Sequence, residues 1–282
     1  MNYLNFRKYQ TAKHKSFAVF LYNRTMLKCP ICNEELIREE KRVVCKNNHS
    51  FDMAKQGYVN LSRKQKKAQG DNAQMVQART DFLSQGYYDF LLEQLETIVR
   101  DKTPSIYVDM GCGQGYYTKQ LAQYANHSFG IDASKAAVSY AARQDKKTQY
   151  VVGNLFHIPL EDHSVDCLSS IFVPLAKEEA SRLLHTNGLW ITVEPGPRHC
   201  WQLKEQLYDV VKENPIKERD WDDFELENEY VLSQKKRVED LMALLDMTPY
   251  KYKSSLEKQK ELEKIEALDV EFEFIIRCWR KV

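Results

Sequence analysis

Nowhere do the 282 residues contain a run of about 18 apolar side chains, which excludes a membrane-spanning helix. The apolar stretch SFAVFLY at 16–22 is too short for the core of a secretion signal, and no small-residue cleavage site follows it. There is no internal repeat. An even, regularly spaced set of cysteines is also missing. Seven cysteines in a chain of this size fit a reducing compartment better than a disulfide framework, so the expected location is the cytoplasm.

With 43% hydrophobic and 29% charged residues, the chain has the composition of a globular protein: one large domain, or one domain with a small appendage. The net charge of +1 hides an asymmetry. Residues 1–80 hold 16 Lys/Arg against 6 Asp/Glu, a net of +10, and the remainder holds 25 against 34, a net of −9. A basic front on an acidic body points to a polyanionic partner, although for residues 1–25 alone a solvated, partly disordered leader is the better reading. Ordered-looking sequence begins near Met26, an alternative natural start.

Cys29, Cys32, Cys45 and His49 follow the spacing C-x2-C-x12-C-x3-H. Two tight knuckles separated by a hairpin-sized arm can supply four tetrahedral ligands to one Zn2+, and a filled shell leaves no open catalytic position. The redox reading of a C-x-x-C pair wants a helix start in a βαβ setting, which is absent here. Tyr58, Arg63, Lys64, Lys66 and Lys67 follow directly. Each reads singly as solvated surface, but together with the metal module they suggest nucleic-acid binding.

From Ser105 onward, apolar runs alternate with helical periods. SIYVDM, HSFGID, QYVVGN, VDCLSSIFV and LWITVEP read as strands. TKQLAQYA, SKAAVSYAARQ (capped by Ser134) and KEEASRLLHTNG (closed by Gly188) read as helices, and VEFEFIIRCWRK as a last strand after the helix VEDLMALLDM. This alternation predicts an α/β fold with a mostly parallel sheet. Upstream, Asp71 is expected to cap a helix running toward Arg79, and Tyr88–Val99 has helical spacing. The predicted organisation is a leader at 1–26, a zinc module at 27–53, a basic linker and helical segment at 54–100, and a catalytic domain at 101–282. The remaining Cys112, Cys167, Cys200 and Cys278 read as small core residues.

The loop DMGCGQG (Asp109–Gly115) closes the first of these strands. Its glycines at 111, 113 and 115 let backbone approach a ligand, but a tight strand-to-helix turn would use them too. The spacing departs from the dinucleotide fingerprint G-x-G-x-x-G. Asp132 ends the next strand, where a carboxylate can accept both hydroxyls of a ribose. Asn154 ends the third, where an amide could read an adenine edge beside Leu155. Together these positions resemble the S-adenosylmethionine site of class I methyltransferases.

CPIC…CKNNHSFDMAKQGYVNL, QARTDFLSQGYY, DMGCGQGYYT, IDASKAA and PGPRH recur in that order from about residue 27 onward. In these segments the chain resembles the bacterial RlmA-type 23S rRNA (guanine-N1-)-methyltransferases. The resemblance implies a Rossmann-like fold and zinc on the Cys/His set. It also implies S-adenosylmethionine contacts from Tyr88, Gly113–Gln114 and His199, an rRNA hairpin-loop substrate, and a homodimer forming an RNA-sized cleft. From spacing alone, Tyr88 reads as a buried helix aromatic and His199 as a helix-start histidine. SSIFVPLAKEE after the fourth strand lacks the Pro-Pro-aromatic motif of exocyclic-amine methylation, which fits a ring-nitrogen acceptor. Glu194 is the candidate for contact with the target base, and it reads equally as an ordinary strand-end carboxylate. Two other readings stay open at this point: a methyltransferase acting on another RNA or on a small molecule, and a non-enzymatic zinc RNA-binding protein.

Overall fold

Short runs that are apolar on both faces, such as IYVDM and VDCLSSI, can be buried only inside a sheet covered on both sides. The computed structural model describes residues 24–62 and 71–282, and puts those runs at the centre of an eight-stranded sheet. The basic tract Arg63, Lys64, Lys66 and Lys67, and most of the leader, lie outside the described residues.

Four short strands come first: β1 (Arg24–Lys28), β2 (Glu35–Glu39), β3 (Arg42–Cys45) and β4 (Ser50–Asp52), paired in that order as an antiparallel sheet. The large sheet is built from β5 (Val59–Asn60), β6 (Ile106–Met110), β7 (His127–Asp132), β8 (Gln149–Val152), β9 (Val165–Ile171), β10 (Leu184–Pro195), β11 (Phe224–Val238) and β12 (Leu268–Lys281). Its order is β11-β12-β10-β9-β6-β7-β8-β5. β5 through β10 run parallel, and β12 is antiparallel to both its neighbours. The chain moves outward from β6 through β7 to β8, then returns to β9 on the other side. The carboxyl ends of β6 and β9 therefore flank a topological switch point, the usual crevice for ligands in such sheets.

Several local expectations change. The helix predicted to end at Gly188 stops at Leu183, and β10 is already paired at Leu184. The register slips between Leu184 and Leu189, with Asn187 at φ 68°, so the glycine closes a bulge instead of a helix. Asn72, not Asp71, caps helix α1 (Ala73–Ser84), accepting from the Met75 N–H at 3.0 Å. Strand β11 has no alternation to betray it: FELENEYVLSQKKRV is mostly exposed and is held by its pairing with β12 along the sheet edge. Residues 54–100, expected as a linker and helical segment, supply edge strand β5 and helices α1 and α2 (Asp89–Lys102), whose Phe82, Leu91 and Leu95 enter the main core.

The zinc module is docked on the large sheet. Leu27, Leu36 and Val43 share one apolar cluster with Val108, Met110, Leu168 and Trp190. The Lys28 N–H donates to the Pro159 carbonyl at 2.7 Å. Cys112, Cys167, Cys200 and Cys278 are all buried, as expected.

Candidate functional site

In the knuckles, the Asn33 N–H donates to the Cys29 carbonyl and the Asn48 N–H to that of Cys45, with both asparagines at positive φ. Asparagine tolerates that conformation better than most residues. The turns bring His49 Nδ1 to 3.5 Å from Cys29 Sγ, 3.3 Å from Cys32 Sγ and 3.4 Å from Cys45 Sγ, with Cys32 and Cys45 sulfurs 3.6 Å apart. A tetrahedral Zn2+ with bonds of about 2.3 Å to sulfur and 2.0–2.1 Å to nitrogen has ligand–ligand edges of roughly 3.5–3.8 Å. These four edges match the ion, and all four ligand atoms lie within 4.8 Å of one another. The Glu34 backbone amide holds the Cys32 thiol down to about 6, favouring the thiolate that a metal needs.

Above the switch point lies a cavity of about 750 Å³, of the size that takes a small molecule. Its floor is the glycine loop. Gly111 has φ 84°, and a Cβ there would stand 2.5 Å from Val173, so no other residue fits without displacing that wall. Gly113, at φ 53°, lies where a Cβ would stand 3.9 Å from Arg79 Nη1, and its N–H donates to Asp132 Oδ2 at 3.0 Å. Asp132 Oδ1 accepts from the Ser134 N–H at 2.7 Å. Burial pushes the Asp132 carboxyl up, opposed by these amides and by the Arg79 guanidinium. Arg79 is itself ion-paired with Asp71 at the cavity wall.

Of the predicted cofactor residues, Tyr88, Gly111, Gly113, Gln114, Asp132 and His199 line this one cavity. Tyr88 and His199, 111 positions apart, meet with the tyrosine hydroxyl 3.5 Å from His199 Nε2. Phe274 packs against both rings. Burial pushes the His199 imidazole down to about 3, so the ring is neutral. Asp109 does not reach the cavity wall. It is buried beneath the loop, accepting from Thr118 at 2.5 Å and Ser169 at 2.7 Å, and burial raises its carboxyl to about 6. Gly115 is packed against Ala141 and Tyr150 instead. Asn154 is exposed, its amide oxygen accepting from the Phe156 N–H, and neither it nor Leu155 lines the cavity.

Glu194 does line it, but both its oxygens are taken. Arg219 donates to them bidentately at 2.7 Å and 2.7 Å, and Arg277 adds a bond of 3.3 Å. Spacing singled out neither arginine, nor Tyr117, nor Phe172. Arg79 stood inside a quoted segment with no role attached to it.

A fit test for the cofactor comes from unpaired atoms. Among the described residues, Gln114 Nε2, Tyr117 Oη and His199 Nδ1 are buried without a hydrogen-bond partner, and all three residues line the cavity. Buried polar atoms are rarely left unpaired unless a ligand satisfies them. Unpaired polar groups and a strand-end carboxylate in one cavity suit a nucleoside carrying an amino acid.

The family model described as "RlmA, N-terminal" matches residues 27–69, and that of a methyltransferase domain matches 108–192. The 23S rRNA (guanine(748)-N(1))-methyltransferase of Streptomyces fradiae is 32% identical over 188 residues, 64% of this chain and 67% of that protein. The chain belongs to the RlmA-type 23S rRNA (guanine-N1-)-methyltransferase family. A Bacillus subtilis (strain 168) protein provisionally named for the same activity is 28% identical over 65% of this chain and 69% of its own length. A malonyl-[acyl-carrier protein] O-methyltransferase of Yersinia pestis matches only 28% of this chain, at 30% identity. S-Adenosylmethionine and zinc are the two cofactors of this RlmA-type methyltransferase, and the residues present fit both.

Proposed function

We propose that this enzyme transfers a methyl group from S-adenosylmethionine to N1 of a guanine in a hairpin loop of 23S rRNA. The observation that carries the cofactor half is the single cavity that unites the glycine loop, Asp132 and three unpaired polar atoms. The acceptor is supported by family membership.

When bound, the cofactor supplies an electrophilic methyl on a sulfonium. Asp132 would accept from its ribose hydroxyls on the lone pairs left beside the Gly113 and Ser134 amides. Gln114 and Tyr117 donate to its amino-acid carboxylate. Tyr88 and neutral His199 wall off that end and exclude water, so that alignment and desolvation lower the barrier. Glu194, fixed by Arg219 and Arg277, contacts the guanine edge. Its oxygens are already engaged by guanidinium groups, which suits orientation of the base better than removal of the N1 proton.

The zinc ribbon and the tract that follows it hold the RNA. The described hairpin tip itself is charge-balanced, with Arg38, Lys41 and Arg42 beside Glu39, Glu40 and Asp52. Net positive charge for RNA therefore comes from outside that tip, and Arg63, Lys64, Lys66 and Lys67 supply four cations with no carboxylate between them. Pairing of two copies into an RNA-sized cleft, and a cytoplasmic location, belong to the same reading. Among the described residues no helix is long and apolar enough to cross a membrane.

The test is transfer of tritiated methyl to large-subunit RNA from cells lacking this enzyme, with the modified base mapped by primer extension. A reverse-transcription stop at one hairpin guanine is expected. Absence of transfer to any 23S guanine overturns the proposal.

A further inference from the structure

Strand β9 ends at Ile171, and the next residue, Phe172, adopts φ 57°. Left-handed backbone is unfavourable for a bulky side chain, so a phenylalanine there is unusual. The turn itself is needed, because it carries Val173 against Gly111. Glycine or asparagine would make that turn at lower cost. The ring is also 39% exposed at the cavity wall, a second unfavourable feature for an apolar residue. One side of it packs on Phe274 at 5.3 Å between centroids, with Tyr88 and Tyr117 at 6.3 and 6.4 Å. The Phe172 N–H donates to the Val193 carbonyl at 3.0 Å, which joins its backbone to the neighbouring strand one residue before Glu194, and Phe172 and Glu194 line the same cavity.

The geometry points to Phe172 as the platform on which the target base of the RNA stacks, next to the carboxylate that meets its edge. This rests on the rRNA reading above and adds the residue that selects a planar base. A purine lifted out of a hairpin loop loses its stacking neighbours, and an exposed aromatic face beside the cofactor cavity replaces them. A backbone conformation that disfavours phenylalanine, and a face left open to water, are both accounted for by a planar ligand.

Three variants test the role: Phe172→Leu, Phe172→Asn and Phe172→Tyr. Each is assayed for methyl transfer to 23S rRNA, for S-adenosylhomocysteine affinity by calorimetry, and for melting temperature. Loss of one base–aromatic stack predicts a fall in kcat/KM of about 10- to 100-fold for Phe172→Leu, with cofactor-product affinity within about twofold of the unaltered protein. Phe172→Tyr retains transfer. Phe172→Asn, which suits the left-handed turn, melts no lower than the unaltered protein yet loses transfer as Phe172→Leu does. Full transfer by Phe172→Leu overturns the platform while leaving the rRNA reading intact. A parallel fall in cofactor-product affinity also overturns it, since the ring would then be a cofactor wall. No transfer by the unaltered protein overturns both.

Discussion

The zinc ribbon and the cofactor cleft are built on opposite plans. All four metal ligands fall within 21 consecutive residues, on knuckles whose shape is set by local hydrogen bonds. The cleft draws its wall from Asp71 to Lys253, and two of its facing rings, Tyr88 and His199, are 111 positions apart. A site assembled locally tolerates change elsewhere and collapses when one ligand is lost. A site assembled from the ends of several strands and loops loses affinity in increments. The ribbon nevertheless packs on β6 and β9, whose carboxyl ends flank the cleft, although no cleft-lining residue belongs to that apolar cluster, so their independence is a matter for measurement.

The largest effect is expected from Cys45→Ser. Zinc content should fall well below the roughly one equivalent that four ligands imply, and RNA affinity should fall with it, because metal binding is folding energy for so small a sheet. Affinity for S-adenosylhomocysteine should change much less. Equal losses of RNA and cofactor-product affinity would show that the ribbon also supports the cleft, and the contrast would fail.

Next comes acid sensitivity. An unfolded histidine gains a proton below about 6.5, whereas buried His199 resists protonation down to about 3. Between those values the unfolded chain binds more protons, so stability falls as pH drops through that window. For this one group the loss is roughly 4 kcal/mol by pH 3. His199→Gln should therefore flatten the acid limb of the melting-temperature curve relative to the unaltered protein. Parallel curves for the two proteins would remove His199 as the cause. Asp109 works in the opposite direction: its raised carboxyl is protonated earlier in the folded chain, so the comparison must be between variants and not of one curve alone.

Asp132→Ala should weaken S-adenosylhomocysteine binding by about 10- to 100-fold, the worth of about one hydrogen bond to a charged group, with zinc content unchanged. Unaltered affinity would reject the ribose assignment. The smallest effect is expected from Asn154→Ala. Its side chain is exposed and closes a local turn with Phe156, so cofactor-product affinity should move by about threefold or less. A loss as large as that of Asp132→Ala would mean that the cleft extends past β8 when filled, restoring the adenine role expected from spacing.

Much of the parallel sheet was legible because its central strands are continuous apolar runs bounded by glycine and polar turns. Strand β11 was not, because an edge strand with most of its side chains in water carries no alternation, and only β12 beside it makes it a strand. Strand β5 has two residues, too few for any period. The supposed helix end at Gly188 misled because a β-bulge uses the same residue type as a helix stop.

The site divides in the same way. Spacing alone suffices for the zinc ligands, since chain geometry lets four groups converge across two knuckles and little else. Glycine loop and Asp132 follow from their places at strand ends. Tyr88 and His199 entered only by family likeness, and packing around Phe274 accounts for their meeting. That Arg219 and Arg277 hold Glu194, that Asp109 lies under the loop and not in the cleft, and that Phe172 is held in a left-handed turn beside it were settled by tertiary structure alone. The two arginines that hold Glu194 lie 25 and 83 positions from it, and no local pattern records which distant side chain a given carboxylate or ring will meet.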